Sequence, residues 1–297
     1  MLGDDILNFY TIEMSGTVTL QSDLSVLTDR INTLEKSDQL TLGFSDVDFV
    51  NPEAMIILVT ASRLAFEKTN RPIIWDALKS DVYSYLERVN ITNIDFLVVK
   101  KPRDAKKFYR SPTQSNNLVE FSIITSWKEL GEAISKTKGV LNRWFPNKPM
   151  EYRRNLSTLV KETVENSIDH SGKHANEGIC YYAVQKYEHQ DNSVEIQIAV
   201  GDVGVGMLTS LRRVYPDTKN DEEAILGALV DGKSGRPTGR GGLGYVTIKD
   251  ALAKLEGSLK IRSGNALVVY KSCCDSPRIC EQKSNYPGTQ IIFRCGG

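Results

Sequence analysis

The chain has no net electrostatic signature. Its 297 residues hold 37 Lys+Arg against 37 Asp+Glu, a formal charge of zero, so no global field draws it to nucleic acid or to an anionic membrane. It lacks a long apolar run. The longest, roughly 54–66, is broken by Thr60, Ser62 and Arg63 and is too short and too polar to span a bilayer. The opening MLGDDILNFY carries acids where a secretory signal needs a basic segment, and the expectation is a cytoplasmic protein. Cysteine is scarce. Cys180, Cys273, Cys274, Cys280 and Cys295 form no paired framework, and Cys273-Cys274…Cys280 has no clean zinc spacing. Reduced structural thiols are favoured over a metal or redox role. Repeats and low-complexity tracts are absent. What remains is an ordinary soluble composition, 40% hydrophobic and 25% charged, in a chain long enough for two domains.

The first part alternates strand-like and helix-like patterns. Strands are predicted at 9–15, 40–44 and 71–75, and helices at 24–34, 53–68 and 82–89. Pro52 suits a first helical turn, with Asn51 as N-cap. This alternation predicts an α/β sandwich over 1–98. Residues 99–120 follow as a basic, polar linker. Lys100, Lys101, Arg103, Lys106, Lys107 and Arg110 stand there against Asp104, ahead of a Ser/Pro/Thr/Asn loop. A docking patch for a protein or RNA is the alternative, but little aromatic interleaving supports nucleic acid. Residues 121–297 open with helices at 126–140 and 150–170. Strands follow at 178–187, 193–200, 259–262, 266–271 and 289–294, giving helices over a mainly antiparallel sheet.

Three polar clusters punctuate this second part. Residues 162–170 place Leu156, Val160, Val164 and Ile168 in one apolar row. Glu162 and Asn166 lie four apart, followed by Asp169 and His170, so a second face reads acid–amide–acid–imidazole. Asp202-Val-Gly204-Val-Gly206-Met207 follows an apolar strand; alone, it could be just a turn. Thr238-Gly239-Arg240-Gly241-Gly242-Leu243-Gly244-Tyr245 precedes a helix predicted at 246–255. Unsubstituted backbone lets N–H groups approach phosphate oxygens, and the helix end adds partial positive charge. No Gly-Lys-Ser/Thr closes this run, and no parallel βαβ unit surrounds it, so it is neither a Walker loop nor a dinucleotide fingerprint.

Taken in order, these clusters resemble the GHKL (Bergerat-fold) ATPase superfamily of DNA gyrase, the heat-shock chaperone of that fold, mismatch-repair ATPases and sensor histidine kinases. Residues 162–170 look like the N box, Asp202-Val-Gly204-Val-Gly206 like the adenine box, and 239–244 like the second glycine box. Gly288-Thr289 is similar to the closing Gly-Thr. The resemblance covers about 120–297 and implies ATP and Mg²⁺ as ligands. It implies that Asn166 binds the metal and that Asp202 accepts from the adenine amino group. Gly204 and Gly206 would pass close to the base, with Met207 beside them and Thr289 assisting. Asp169 and His170 would support an end of the pocket. Gly241, Gly242, Leu243 and Gly244 would face the phosphates. Residues 208–240 would form a lid with a helix near 221–230, where Lys233, Ser234, Arg236 and Arg240 either meet the γ-phosphate or lie on a solvated loop. Glu162 corresponds to the water-activating acid of gyrase-type members; the plainer alternative is a surface pair on the helix.

The first part resembles STAS (anti-sigma-factor antagonist) domains through Val47-Asp-Phe-Val-Asn51-Pro52-Glu53-Ala54. Those domains usually carry Asp-Ser-Ser-Gly, with the second Ser phosphorylated by a kinase of the same superfamily. Here Glu53 replaces that serine, either as a fixed charge at a helix N-terminus or as a plain first-turn residue. No phosphoacceptor histidine motif is present. The resemblances together imply a two-domain α/β protein, a STAS-like sandwich joined to an α+β Bergerat sandwich. They imply slow ATP hydrolysis coupled to a protein partner through the N-terminal domain, with an ATP-dependent homodimer as an added expectation. Alternatives are an anti-sigma-type Ser/Thr kinase fused to a degenerate antagonist domain, and a nucleotide-binding module without turnover.

Overall fold

The computed structural model describes residues 8–16, 18–22, 24–105, 118–170, 172, 178–236, 243–274 and 276–296. It is an α/β protein with one parallel and one antiparallel sheet. Strands β1 (Phe9–Ser15), β2 (Gln39–Asp46), β3 (Ile73–Asp76) and β4 (Leu97–Val99) pair in sequence order and all in parallel. Helices α1 (Ser25–Thr33), α2 (Pro52–Thr69) and α3 (Ser80–Arg88) make the crossovers. Strands added in one direction by right-handed crossovers put every helix on the same face. Burial follows: Ile12, Met14, Leu40, Leu42, Phe44, Ile73 and Trp75 are buried, while Phe9, Thr11 and Glu13 on the opposite face are exposed.

The second sheet runs β5 (Leu118–Ile124), β6 (Cys180–Glu188), β7 (Val194–Asp202), β9 (Arg278–Gly296), β8 (Ser258–Lys271) across its width, each pair antiparallel. Helices α4 (Trp127–Trp144), α5 (Met150–His170) and α8 (Leu243–Lys254) cover one face. There Leu156, Val160, Val164 and Ile168 of α5 pack with Tyr182, Ile198, Val200 and Phe293. The four-residue row read from the sequence is thus the buried stripe of α5, and its polar face turns elsewhere.

The other face of this sheet is covered by the first hundred residues. Tyr181, Ala183, Ala199, Leu267, Tyr286 and Ile292 belong to the same core as α2 and the parallel sheet. Helix α2 begins where Asn51 accepts a hydrogen bond from the Ala54 N–H at 2.8 Å, and it ends at Asn70 in the left-handed region, φ 56°. Between these ends, every residue from Pro52 to Ser62 is buried, the mark of a helix with apolar partners on opposite sides. Ser62 Oγ accepts from Trp75 Nε1 of β3 at 3.0 Å. On the other side, the Tyr286 hydroxyl of β9 donates to the Ile57 carbonyl at 2.6 Å. The layers therefore stack as parallel sheet, helices, antiparallel sheet, helices.

Glu53 sits in the first turn of α2, as expected, but with partners the sequence did not show. It is fully buried, and its carboxylate meets Lys260 Nζ of β8 at 3.0 Å, Arg294 Nη2 of β9 at 3.2 Å and the Leu20 N–H at 2.9 Å. It ties α2 and the Leu20 backbone to the antiparallel sheet; it is not a charge offered to solvent. The two segments expected as separate strands near 259–271 form one strand, β8, bent at Gly264 (φ +59°), where the register shifts. Strand β5 begins inside the predicted linker, and 106–117 of that linker lie outside the described residues. Among the described residues, no helix is long and apolar enough to cross a membrane.

Candidate functional site

Strand β7 is apolar from Ile198 to Val200 and ends on a carboxylate, Asp202, that is 3% exposed. Its Oδ1 accepts from the backbone N–H of Gly204 at 2.9 Å and of Thr289 at 3.2 Å. The Ser167 hydroxyl of α5 bonds the same carboxylate. Burial pushes this acid up to about 7, against the pull of those hydrogen bonds. Because the folded value lies above the unfolded one near 4, the native state holds a proton between about pH 4 and 7 that the unfolded chain has lost. Asp202 therefore weakens the fold progressively as pH rises through that window.

The backbone near Asp202 is held by glycine. Gly288 sits at φ +79°, and a Cβ there would come within 2.1 Å of the Asp202 carbonyl oxygen. Only glycine lets the 287–289 turn press close enough for Thr289 to donate. Ser263 Oγ donates to the Gly288 carbonyl at 3.1 Å and accepts from the Met207 N–H at 2.9 Å. Gln290 Nε2 donates to the Asp202 carbonyl at 3.2 Å.

A cleft opens beside this carboxylate, enclosing about 680 Å³ with its mouth included. Met207, Leu211, Ala224, Ala228 and Ile291 give it apolar walls. They come from β9, from α6 (Gly206–Arg212) and from α7 (Asp221–Leu229). Tyr245 lines it too; its hydroxyl meets Met207 Sδ at 3.8 Å, and burial, with the nearby Asp202 charge, pushes its pKa above the usual tyrosine range. Asn166 and Ser167 close one side from α5, and Lys233 and Ser234 border the other.

Polar groups of α5 converge on the start of α8. A Cβ built at Gly244 would lie 3.4 Å from Asn166 Nδ2 and 3.6 Å from Glu162 Oε2. Glycine lets α8 begin against the acid–amide face of α5. Glu162 has Lys161 Nζ at 3.4 Å. The segment after α7 is fixed at several points. The Lys233 N–H donates to the Gly227 carbonyl at 2.9 Å, and Lys233 Nζ lies 3.3 Å from Asp231 and over the Tyr215 ring. A Cβ at Gly235 would come 2.7 Å from the Ser210 carbonyl. Helix α7 is capped by Asn220, which accepts from the Glu223 N–H at 2.8 Å, and its Asp221 accepts from the Asn265 N–H at the bend of β8.

Asn166, Asp202, Gly206, Met207, Lys233, Ser234, Gly244 and Thr289, all expected from the sequence, line this one cleft. Gly204 reaches it through its N–H on Asp202, and Glu162 stands beside Asn166 across Gly244. Asp169 is not among the lining residues; it forms an ion pair with Arg236 and so pins the 230–236 segment to α5. Arg240, Gly241 and Gly242 lie outside the described residues. His170 ends α5 and Leu243 begins α8, with their side chains outside the description. Sequence reasoning missed Ser167, Ser210, Ser263 and Gln290. A small polar residue carries no periodic signal, and these four acquire a role only through folding. The helix expected at 221–230 is present as α7.

The arrangement can accept a hydrogen bond from a ligand donor at Asp202, enclose a flat apolar body between Met207, Tyr245 and Ile291, and offer an amide, a carboxylate and a lysine toward a polar tail. Among the described residues, no group of three or more His, Cys, Asp and Glu is gathered to hold a metal. No protein-family model matches the chain, and no curated protein matches it.

Proposed function

We propose that this cleft binds Mg-ATP, that the chain hydrolyses it slowly, and that movement of the 206–236 segment switches a protein interaction. The observation that carries the proposal is the buried Asp202 carboxylate at the floor of an apolar cleft. Adenine presents an amino donor to such an acceptor, whereas guanine presents a carbonyl. The antiparallel sheet with α4, α5 and α8 on one face and the glycine-bearing turns at one end fit a Bergerat-type (GHKL) module. The parallel sheet with its crossover helices stands as the STAS-like part.

The donor set suits Mg²⁺ held mainly by ligand phosphates and water. Mg²⁺ favours hard oxygen and keeps much of its hydration, and Asn166 supplies one amide oxygen beside the Glu162 carboxylate. When bound, the ion would neutralise phosphate charge. Glu162, one helical turn before Asn166, is placed to take a proton from an attacking water. Lys233 adds positive charge at the cleft. The Asp169–Arg236 pair and the Asp221 contact hold the segment that would report occupancy.

Glu162→Gln is expected to release phosphate from γ-labelled ATP about 100-fold more slowly, with ATP affinity changed less than about threefold. An unchanged rate removes Glu162 as the base. Label on protein would replace hydrolysis with phosphotransfer, and tight binding with no release would make the chain a silent binder. Adenosine, which has no phosphates to titrate, tests the floor. Its affinity should rise as pH passes about 7, where Asp202 ionises and accepts more strongly, and then level off. A flat profile between about pH 6 and 8 would contradict Asp202 as the acceptor.

A further inference from the structure

We propose that Ile56, on helix α2 of the N-terminal layer, is a positioning residue for the cleft: its side chain seats on Gly201 and sets the depth at which Asp202 is presented. Side chains alternate across a strand, so Gly201 faces α2 while Asp202 faces α5 and the cleft. A Cβ built on Gly201 would fall 2.4 Å from Ile56 Cγ2, far inside van der Waals contact. Gly201 is paired on both sides, with Tyr181 of β6 and Gln290 of β9. A glycine inside a central strand weakens it and marks the close approach of another element. Here that element is α2, and the residue that follows is the cleft's carboxylate.

Helix α2 is held rigidly enough to act as such a stop. One turn before Ile56, Glu53 is paired with Lys260 and Arg294. One residue after it, the Ile57 carbonyl accepts from Tyr286. These anchors tie α2 to β9, the strand beside β7, and to β8, the next strand out. The N-terminal layer thus forms the back wall of the site, and its displacement would move Asp202 directly.

The proposal rests on the adenine reading for its binding test, and a second readout keeps the two separable. In the full chain, Gly201→Ala should weaken adenosine binding by about tenfold or more. Gly201→Ala combined with Ile56→Ala should recover to within about threefold, because the space the new methyl needs is vacated. Ile56→Ala and Leu58→Ala remove comparably buried side chains of α2. Leu58 lies one turn before Ser62, on the side of the parallel sheet. Both should lower stability, but only Ile56→Ala should weaken adenosine binding. Wild-type affinity in Gly201→Ala, or equal losses in the two alanine variants, overturns the proposal. Should Gly201→Ala fail to fold, the Ile56→Ala and Leu58→Ala comparison decides. If the parent chain binds no adenosine, the adenine reading fails by itself. The carboxyl-carbon titration of Asp202 then tests positioning: a midpoint shifted in Ile56→Ala and unshifted in Leu58→Ala supports it, and equal midpoints overturn it.

Discussion

Asp202→Asn binds adenosine about 100-fold more weakly than the parent chain, and its preference shifts toward inosine. The amide oxygen can still accept from the Gly204 and Thr289 N–H groups, so the local turn survives. What changes is the group left for the ligand. An NH₂ facing the adenine amino group sets donor against donor, and a site that leaves buried polar groups unmatched loses far more than one that loses apolar area. Hypoxanthine presents a carbonyl at that position and accepts from the new amide. Competitive binding of the two nucleosides to the variant is the check. Equal loss for both would mean that Asp202 supports the turn without reading the base.

Glu53→Ala lowers the free energy of unfolding by about 3 kcal/mol, the lower end for removing one partner of a buried ion pair, because water screens Arg294, whose side chain is 39% exposed. Lys260, whose side chain is 16% exposed, and Arg294 are left facing each other, and the Leu20 N–H loses its acceptor. The surface pair Arg63–Glu67 provides the contrast: Glu67 is 43% exposed, so Glu67→Ala should cost less than about 1 kcal/mol. Chemical denaturation of both variants checks the pair. A loss at Glu53 no larger than at Glu67 would mean that the carboxylate does not join the layers.

Much of the cleft was legible because its motifs are local. The spacing of Glu162 and Asn166 puts both on one helical face, and Asp202 with its glycines follows the apolar run Ile198–Val200. Strand β1, helix α2 with its Asn51 cap and helix α5 were equally readable, since each has its own period or punctuation. What escaped was non-local. Ile56 looks like any core residue until Gly201 is found against it, and Glu53 looks like a first-turn acid until β8 and β9 bring Lys260 and Arg294 to it. Strand β4 is only three residues long, and β5 is masked by the basic segment before it. The unbroken burial of α2 from Pro52 to Ser62 was signalled by its apolar run, but the second partner that such a run needs lies far along the chain.

This arrangement gives the N-terminal layer a physical reason to influence the cleft, since α2 is packed on the strand that carries Asp202. It also removes the Glu53 position as a surface for a partner, because that carboxylate is sealed between the sheets. The face of the parallel sheet that carries Phe9, Thr11 and Glu13 remains exposed.

Calorimetric titration of the full chain with a non-hydrolysable ATP analogue and Mg²⁺, near pH 8, tests the central claim most directly. The account predicts saturable one-to-one binding, with the guanine counterpart at least about tenfold weaker because Asp202 selects an amino donor. No saturable binding, or equal affinity for the two bases, would contradict it.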